Sequence, residues 1–274
     1  MRLGVDTAFY AALCLEDALE RLADLGWKDV QVSAGHLGGD GSLGERPAAV
    51  RRTCDALGVT VWQVHCDAEL GPGSGDLAAN LAWLDTTRAL GARCLITHAN
   101  RDADYNTEDE RRRCLDLNRD CLAAVASCAN QLGLRVALEN RLERLRAACR
   151  RFGARMQDFL DLIDAVDADN LGVCLDTSHT RVSRLSFAEE IGRSGRRLLA
   201  AQVSDSDGEL QHRMPFTLDI DWDEVVSALR GIGYEGLLSL DCGGDGDAPL
   251  DALDGKLRTV RERFEALAGG REQE

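Results

Sequence analysis

The fold of this chain is decided by one phrase, which recurs as DLGWKDVQV (24–32), ALGVTVWQV (56–64), ALGARCLIT (89–97) and QLGLRVALE (131–139), with GIGYEGLLSL (231–240) as a variant. Each copy carries a glycine where a helix should stop, because glycine readily adopts the left-handed conformation that ends helices. An apolar run, often containing β-branched residues, follows within a few positions and is typical of a buried strand. The phrase therefore predicts alternating helices and strands that form a parallel sheet.

Eight such strands can be counted along the sequence. They are expected at 3–9, 29–34, 60–66, 94–99, 135–140, 171–176, 198–204 and 236–242, with helices at 16–25, 107–132, 221–230 and 250–267 among the segments between them. Thr107 with Glu110, and Asp221 with Glu224, have the spacing of helix capping boxes. Eight strands and eight helices in 274 residues predict an α/β fold, a single-domain (β/α)8 TIM barrel, with a frayed tail from about residue 269 to 274. The alternative, a doubly wound sheet, is disfavoured because VDTAFY (5–10) contains no glycine-rich phosphate loop.

The charge balance limits the partners of the protein. Asp and Glu total 47 against 32 Lys and Arg, which gives a formal net charge of −15. A surface of this sign does not suit long nucleic acids or anionic membranes, because both are bound through an excess of basic residues. The first ten residues lack the apolar core of a signal peptide, and no apolar run reaches the length of a membrane span. We therefore expect a cytoplasmic protein that binds neither nucleic acid nor membranes.

Polar residues collect at the carboxyl ends of the predicted strands, where TIM barrels place their active sites. Carboxylates close three apolar strands, as Glu139, Asp176 and Asp241. A carboxylate at such a position is costly to bury unless it is paired or binds a cation. All five histidines also stand at these ends or in the loops beyond them, as His36, His65, His98, His179 and His212. Carboxylates and imidazoles that converge on one barrel mouth predict a divalent metal site, with Mn, Mg or Co favoured by the carboxylates and Zn also compatible with the imidazoles.

Several motifs at these strand ends resemble one family. They are LEN (138–140), CLDTSH (174–179), QVSDSDG (202–208), QHRMPF (211–216), the pair at 221–222 and LSLDC (238–242). With them, nearly the whole chain is similar to the xylose isomerase-like TIM barrel superfamily, which includes sugar phosphate isomerases and epimerases, dehydratases and an endonuclease branch. The resemblance implies one divalent metal, with Glu139 and Asp176 as ligands. It implies a homodimer as well.

The sequence departs from that family at two ligand positions. Gln202 stands where the family has a histidine on the seventh strand, and Asp241 stands where it has a glutamate. The fourth ligand is then either Gln202, which favours a hard ion such as Mg or Mn, or His212 from the next loop. The resemblance implies that His179 contacts the substrate or a second metal, and that His65 and His98 lie at the substrate.

These residues predict a metal-dependent isomerase or epimerase that acts on a sugar, cyclitol or polyol acid through an enediolate. Glu139 is expected to remove the proton, and Asp241 or His179 to return it. The alternatives are a lyase that resembles 3-dehydroshikimate dehydratase, a barrel that binds metal without catalysis and, least favoured, a phosphodiester hydrolase of the endonuclease branch.

A basic segment follows the fifth strand. Residues 141–155 contain six arginines and one glutamate, so they carry +5 while the rest of the chain carries −20. Arginine suits bidentate recognition of carboxylate or phosphate, which predicts a small polyhydroxylated substrate with a negative charge, bound by Arg144 and Arg213. The alternatives are a solvated basic turn and a contact with an acidic neighbour in a dimer.

Overall fold

Eight parallel strands form a closed barrel in the computed structural model, which describes residues 1–37, 46–143, 149–243 and 248–269. The strands pair in chain order, and the eighth closes the barrel against the first. Their bounds are Arg2–Asp6 (β1), Asp29–Ser33 (β2), Thr60–Glu69 (β3), Cys94–His98 (β4), Arg135–Glu139 (β5), Leu171–Asp176 (β6), Leu198–Val203 (β7) and Leu237–Leu240 (β8). The predicted (β/α)8 architecture is confirmed, and each predicted strand overlaps an observed one.

The described residues form eight longer helices around the barrel. They are Leu15–Asp24 (α1), Arg46–Leu57 (α2), Ser74–Ala89 (α3), Glu108–Gln131 (α4), Met156–Val166 (α5), Phe187–Ser194 (α6), Trp222–Gly231 (α7) and Leu250–Gly269 (α8), with short helical turns at Thr7–Tyr10, Ala34–Leu37, Thr177–Val182 and Gly195–Arg197. Two short strands, Asp104–Tyr105 and Arg150–Arg151, pair in antiparallel orientation outside the barrel. None of the described helices is long and apolar enough to cross a membrane. Residues 270–274 of the predicted tail lie outside the described residues.

The glycines and capping residues that predicted the helix ends have the expected conformations and hydrogen bonds. The glycines of the five phrases all have positive φ, from 64° at Gly58 to 82° at Gly26, which is the conformation that ends a helix. Thr107 and Glu110 form a capping box, since the Thr107 hydroxyl accepts from the Glu110 N–H and the Glu110 carboxylate accepts from the Thr107 N–H. Asp221 caps α7 in the same way by accepting from the Glu224 N–H. The helix ends were therefore readable from sequence.

Two strands end three residues away from their predicted carboxyl ends, whereas the bounds of the other six agree with the prediction to within two residues. β1 ends at Asp6 rather than at residue 9, because the Asp6 carboxylate accepts from the Ala8 N–H at 2.7 Å and starts a short 3-10 turn. β3 continues to Glu69, three residues beyond the prediction, and pairs there with His98 of β4. Both changes lie at the carboxyl end of the barrel, so they reshape its mouth.

Side-chain alternation along the strands decides which residues face the barrel interior. Leu138 and Val173 belong to the main core between strands and helices, whereas the barrel interior holds a separate cluster of Cys94, Ile96, Ala137, Cys174, Leu199 and Ala200. Successive side chains of a strand point to opposite faces. Glu139 is therefore in phase with Ala137, Asp176 with Cys174 and Gln202 with Ala200. All three side chains therefore point into the barrel, on the mouth side of this apolar cluster.

Candidate functional site

Glu139 lies at the centre of the barrel mouth, and its carboxylate is almost fully buried. Three imidazoles surround it. His65 Nε2 lies 2.9 Å and His98 Nε2 3.5 Å from Glu139 Oε2, and His179 Nδ1 lies 3.6 Å from Oε1. The predicted convergence of β3, β4, β5 and β6 on one site is therefore present in the structure.

The short distance between His65 and Glu139 requires a proton or a metal ion beside the two side chains. Their closest atoms, His65 Nε2 and Glu139 Oε2, are 2.9 Å apart, and the buried Nε2 has no other hydrogen-bond partner among the described residues. The other ring nitrogen, Nδ1, lies 3.0 Å from the Gln202 side chain. A carboxylate oxygen and an imidazole nitrogen at this distance repel each other unless a proton or a metal ion lies with them.

Asp176 offers a second possible ligand atom for a metal ion. One of its oxygens, Oδ1, accepts from the Ser178 hydroxyl at 3.0 Å and from the His179 N–H at 2.7 Å, so it caps the turn Thr177–Val182. The other, Oδ2, is buried and accepts no hydrogen bond within the described part of the chain. It faces His179 Nδ1 and His212 Nδ1, each at 3.9 Å. A buried carboxylate oxygen without a donor is costly unless a cation neutralises it, so the donors here fit a divalent metal ion.

The tautomers of two histidines follow from their backbone partners. His179 Nδ1 lies 2.8 Å from the Asn140 carbonyl oxygen, and His212 Nδ1 lies 3.1 Å from the Asp241 carbonyl oxygen. Because a carbonyl oxygen only accepts, each Nδ1 carries the proton and donates it. When either ring is neutral, its lone pair therefore lies on Nε2, the atom through which a histidine can bind a metal ion or accept a proton.

Gln202 is hydrogen-bonded at both ends of its amide, in the orientation that gives every amide atom a suitable partner. Its nitrogen donates to Glu139 Oε2 at 2.7 Å and Oε1 at 3.2 Å. Its oxygen accepts from His65 Nδ1 and from Gln31 Nε2, each at 3.0 Å. Gln202 therefore links the carboxylate on β5 to groups on β2 and β3 across the barrel.

A buried polar layer supports this link from below the mouth. Gln31 donates to Asp6 Oδ2 at 2.5 Å, and Gln63 donates to Gln31 Oε1 at 2.6 Å. The Ser33 hydroxyl also donates to Asp6 Oδ2. All of these side chains except that of Ser33 are buried. The network holds Gln202, and through it Glu139, in one orientation.

The charges of the site shift the pKa values of its members strongly. Burial favours the neutral form of Glu139, but His65 and His98 outweigh burial and hold its pKa well below the usual range. Burial also favours neutral His65, yet Glu139, Asp241 and Asp6 raise its pKa to about 9. The pKa of Asp176 is raised, mainly by burial. The charges of His179 and His212 lower it, but those of Glu139 and Asp241 raise it further. Without a metal ion, the site therefore retains protons as its counter-charge.

Among the residues that the structure describes, three groups of side chains bring donor atoms close enough to hold a metal ion. They are His65 with His98 and Glu139, Asp176 with His179 and His212, and Asp6 with His65 and Asp241. Four residues that the sequence singled out are spread over the three groups: Glu139 is in the first, Asp176 and His212 are in the second, and Asp241 is in the third. The groups line a mouth that opens into a cavity of about 440 Å³ bordered by His65, His98, His212 and Asp241. A cavity of that volume falls in the range for small-molecule ligands.

Other predicted residues lie elsewhere. His36 is not in the site, because its Nε2 donates to the Leu13 carbonyl oxygen at 3.0 Å within the turn that follows β2. Arg213 borders a neighbouring cavity that shares His212 with the mouth. Arg141, in the basic segment, donates to Glu69 at 2.6 Å and to the Ala99 carbonyl oxygen, so it joins two loops. Arg144 lies outside the described residues.

Sequence reasoning missed the polar layer and the role of Asn140. Asp6, Gln31 and Gln63 were not proposed as site residues, although the dipeptide Gln-Val recurs in β2, β3 and β7, at 31–32, 63–64 and 202–203. A polar side chain at the same point of three apolar strands could have indicated a shared layer inside the barrel. Asn140 belongs to the quoted LEN motif, but nothing in the sequence showed that its carbonyl oxygen fixes the His179 tautomer.

Comparisons with known proteins agree with this architecture. Residues 13–263 match the sequence model of the xylose isomerase-like TIM barrel. The chain belongs to the xylose isomerase-like TIM barrel family. The D-psicose 3-epimerase of Agrobacterium fabrum is 25% identical over 277 aligned residues, covering 92% of this chain and 85% of that enzyme. Two other curated relatives, each 26% identical, match over only 43% and 60% of their own lengths.

Solved structures of other proteins share the fold of this xylose isomerase-like barrel. A crystal structure of D-psicose 3-epimerase in the presence of D-fructose has a TM-score of 0.80 at 19% identity, covering 98% of this chain and 100% of the other. A crystal structure of the IolI protein with a bound zinc atom has a TM-score of 0.78 at 14% identity, covering 97% and 98%. At these identities the likeness concerns the fold.

Proposed function

We propose that this protein is a divalent-metal-dependent isomerase or epimerase that acts on a sugar or a related polyhydroxylated compound. The observation that carries the proposal is the buried Asp176 Oδ2, which lacks a hydrogen-bond donor among the described residues and faces His179 and His212 beside Glu139 and Asp241. Sugar epimerases among the relatives support the class of reaction.

Glu139, Asp176, Asp241 and His212 would hold the ion. Gln202 is better suited to orient Glu139 than to bind metal, because its oxygen already accepts from Gln31 and His65. We therefore assign the fourth ligand to His212 rather than to Gln202. Three carboxylates favour Mn, Mg or Co, and the imidazole also admits Zn, which the IolI structure contains. When bound, the ion would supply Lewis-acid polarisation of a substrate carbonyl.

The two candidate proton-transfer groups stand on different sides of the mouth. Glu139 ends β5, and Asp241 follows β8, with β6 and β7 between them. The Glu139 carboxylate is ionised at neutral pH because its pKa is held low, so it can accept a proton from the carbon beside a carbonyl group. Asp241, or His179 after its Nε2 has taken up a proton from solvent, would deliver a proton from another direction. Delivery to the opposite face of the same carbon gives epimerisation.

The test uses the metal-loaded protein and a panel of ketoses and polyol acids in deuterated water. We expect deuterium at the reacting carbon of recovered substrate and product, with turnover lost in Glu139→Gln and kept in Glu209→Gln, which changes an exposed carboxylate. A product lighter by one molecule of water would instead indicate the lyase alternative. Absence of exchange with the whole panel, together with no metal binding, would contradict the proposal.

A further inference from the structure

A second cavity lies beside the barrel mouth, between the loop after β7 and helix α8. Its volume is about 480 Å³, and it shares His212 and Gly243 with the mouth cavity. Its lining includes three basic side chains, those of Arg213, Lys256 and Arg263. None of the described residues that line it carries a carboxylate. The two cavities therefore adjoin, and the second is positively charged within a protein of net charge −15.

The loop that forms one wall of this cavity is built around a buried carboxylate. Asp205 accepts from the backbone N–H groups of Thr217, Leu218 and Ile220 at 3.0, 3.0 and 3.1 Å. The backbones of Asp205 and Arg213 exchange two hydrogen bonds, at 2.6 and 3.1 Å. These bonds fix the backbone of Arg213 at the cavity edge. Less conformational entropy is therefore lost when its side chain binds a ligand there.

Two lining residues of that loop hold an uncommon backbone conformation. His212 has φ of 52° and Phe216 has φ of 69°, in the left-handed region that larger residues rarely occupy. The Phe216 ring packs against Phe264 with a centroid distance of 4.9 Å, and the Arg263 guanidinium lies 4.3 Å from the Phe216 ring centroid. Strained residues persist where packing enforces them, and they cluster at functional sites. Here the packing of Phe216 against Phe264 and Arg263 holds the strained backbone, and with it the cavity wall, in place.

The charged groups are suited to an anion with several oxygens. The Arg213 guanidinium forms no ion pair with a carboxylate in the part of the chain that the structure describes, and Arg263 donates only weakly, to the Phe216 carbonyl oxygen at 3.3 Å. Arginine binds phosphate and carboxylate oxygens through paired N–H donors. Thr217 and Thr259 add hydroxyl groups to the same lining.

We propose that this second cavity binds the anionic end of the substrate, a phosphate or carboxylate group, while the reacting carbons lie at the barrel mouth. The substrate is then an anionic sugar or polyol derivative rather than a neutral sugar. This assignment rests on the proposed function for the reacting end of the molecule, but the anion site itself can be tested without it.

The first experiment measures binding of inorganic phosphate to EDTA-treated protein by calorimetry, so that no metal ion contributes. We expect Arg213→Gln and Arg263→Gln each to weaken binding at least fivefold, and Arg213→Lys to retain most of it. Arg258→Gln, an exposed change on the same helix, should bind as the wild type does. Equal binding by the wild type and Arg213→Gln, with both folded by circular dichroism, would overturn the anion site.

The second experiment compares D-fructose with D-fructose 6-phosphate on metal-loaded protein. We expect at least tenfold tighter binding of the phosphorylated sugar and loss of that preference in Arg213→Gln. Phosphate binding in the first experiment without any preference in the second would overturn the link to the substrate and leave a site for a free anion. If the protein binds D-fructose 6-phosphate more tightly than D-fructose but converts neither sugar, the anion site is upheld and the isomerase proposal fails.

Discussion

Binding of a divalent ion at the barrel mouth is expected to expel about two protons from this protein at pH 7.5. The reason is that His65 and His212 keep protons in the metal-free site, where neighbouring carboxylates raise their pKa values to about 9 and about 10 against the effect of burial. Both are then almost fully protonated at pH 7.5. A divalent ion beside Glu139, Asp176 and Asp241 takes over the role of counter-charge, so the protons leave.

The size of the effect follows from the shift of His65. Its pKa rises from 6.5 to about 9, and each pKa unit corresponds to roughly 1.4 kcal/mol, so the charged form is favoured by roughly 3 kcal/mol. The apparent Kd for Mn²⁺ should then fall about tenfold per pH unit for each proton released, until the pH reaches the pKa of the group that loses it.

Calorimetry in buffers of different ionisation enthalpy counts the protons, and NMR titration of the imidazole C–H signals identifies them. In metal-free Glu139→Gln, the His65 pKa should fall below 6.5, since burial then acts with much less opposition. The surface variant Glu209→Gln should leave it near 9. Release of less than half a proton per ion, or a Kd that stays constant from pH 6.5 to 8.5, would refute the reasoning.

Further expectations concern stability. The EDTA-treated protein should lose up to roughly 3 kcal/mol of unfolding free energy as pH rises from 6.5 through 9, because protonated His65 stabilises the fold and its pKa is raised to about 9. Urea unfolding measures this loss, and a rise in stability would contradict it. Gln202→Leu should cost about 2–4 kcal/mol in the same assay, since Glu139, His65 and Gln31 would each lose a buried partner; a loss below 0.5 kcal/mol would argue against the network. Gly172→Ala should cost about 1–3 kcal/mol in thermal unfolding, because its Cβ would collide with the Arg197 carbonyl oxygen. Gly192→Ala meets nothing within 4 Å and should be neutral or stabilising, and equal effects of the two changes would contradict the packing argument.

Most of the fold could be predicted because its signals are local. The glycines of the recurring phrase end helices through their own φ, and Thr107 caps α4 through a partner three residues away. The strands follow from apolar runs, and closure into a barrel follows from their number. The strand ends were less predictable. β1 stops at Asp6 because that carboxylate bonds to the Ala8 N–H and, across the sheet, to Gln31.

The candidate site was predictable in part: the residues that end strands could be named from sequence, but the polar layer beneath them and the contacts could not. Glu139, Asp176 and Asp241 were found because each closes an apolar strand, and the strand ends of a barrel meet at one mouth. His36 stands at a strand end as well, but the chain turns there so that its ring reaches the Leu13 carbonyl oxygen. The same sequence rule therefore gave four histidines that converge and one that does not.

The sequence by itself determined the barrel and the residues at its mouth, because strand alternation and helix ends depend on neighbours along the chain. Only the tertiary structure decided which partners each group has there. Gln202 could bind metal or hydrogen-bond, and the outcome depends on His65, which lies 137 residues away, and on Gln31. Closure of the barrel brings these strands together, and in a buried site each polar atom must find a partner among the groups that closure supplies.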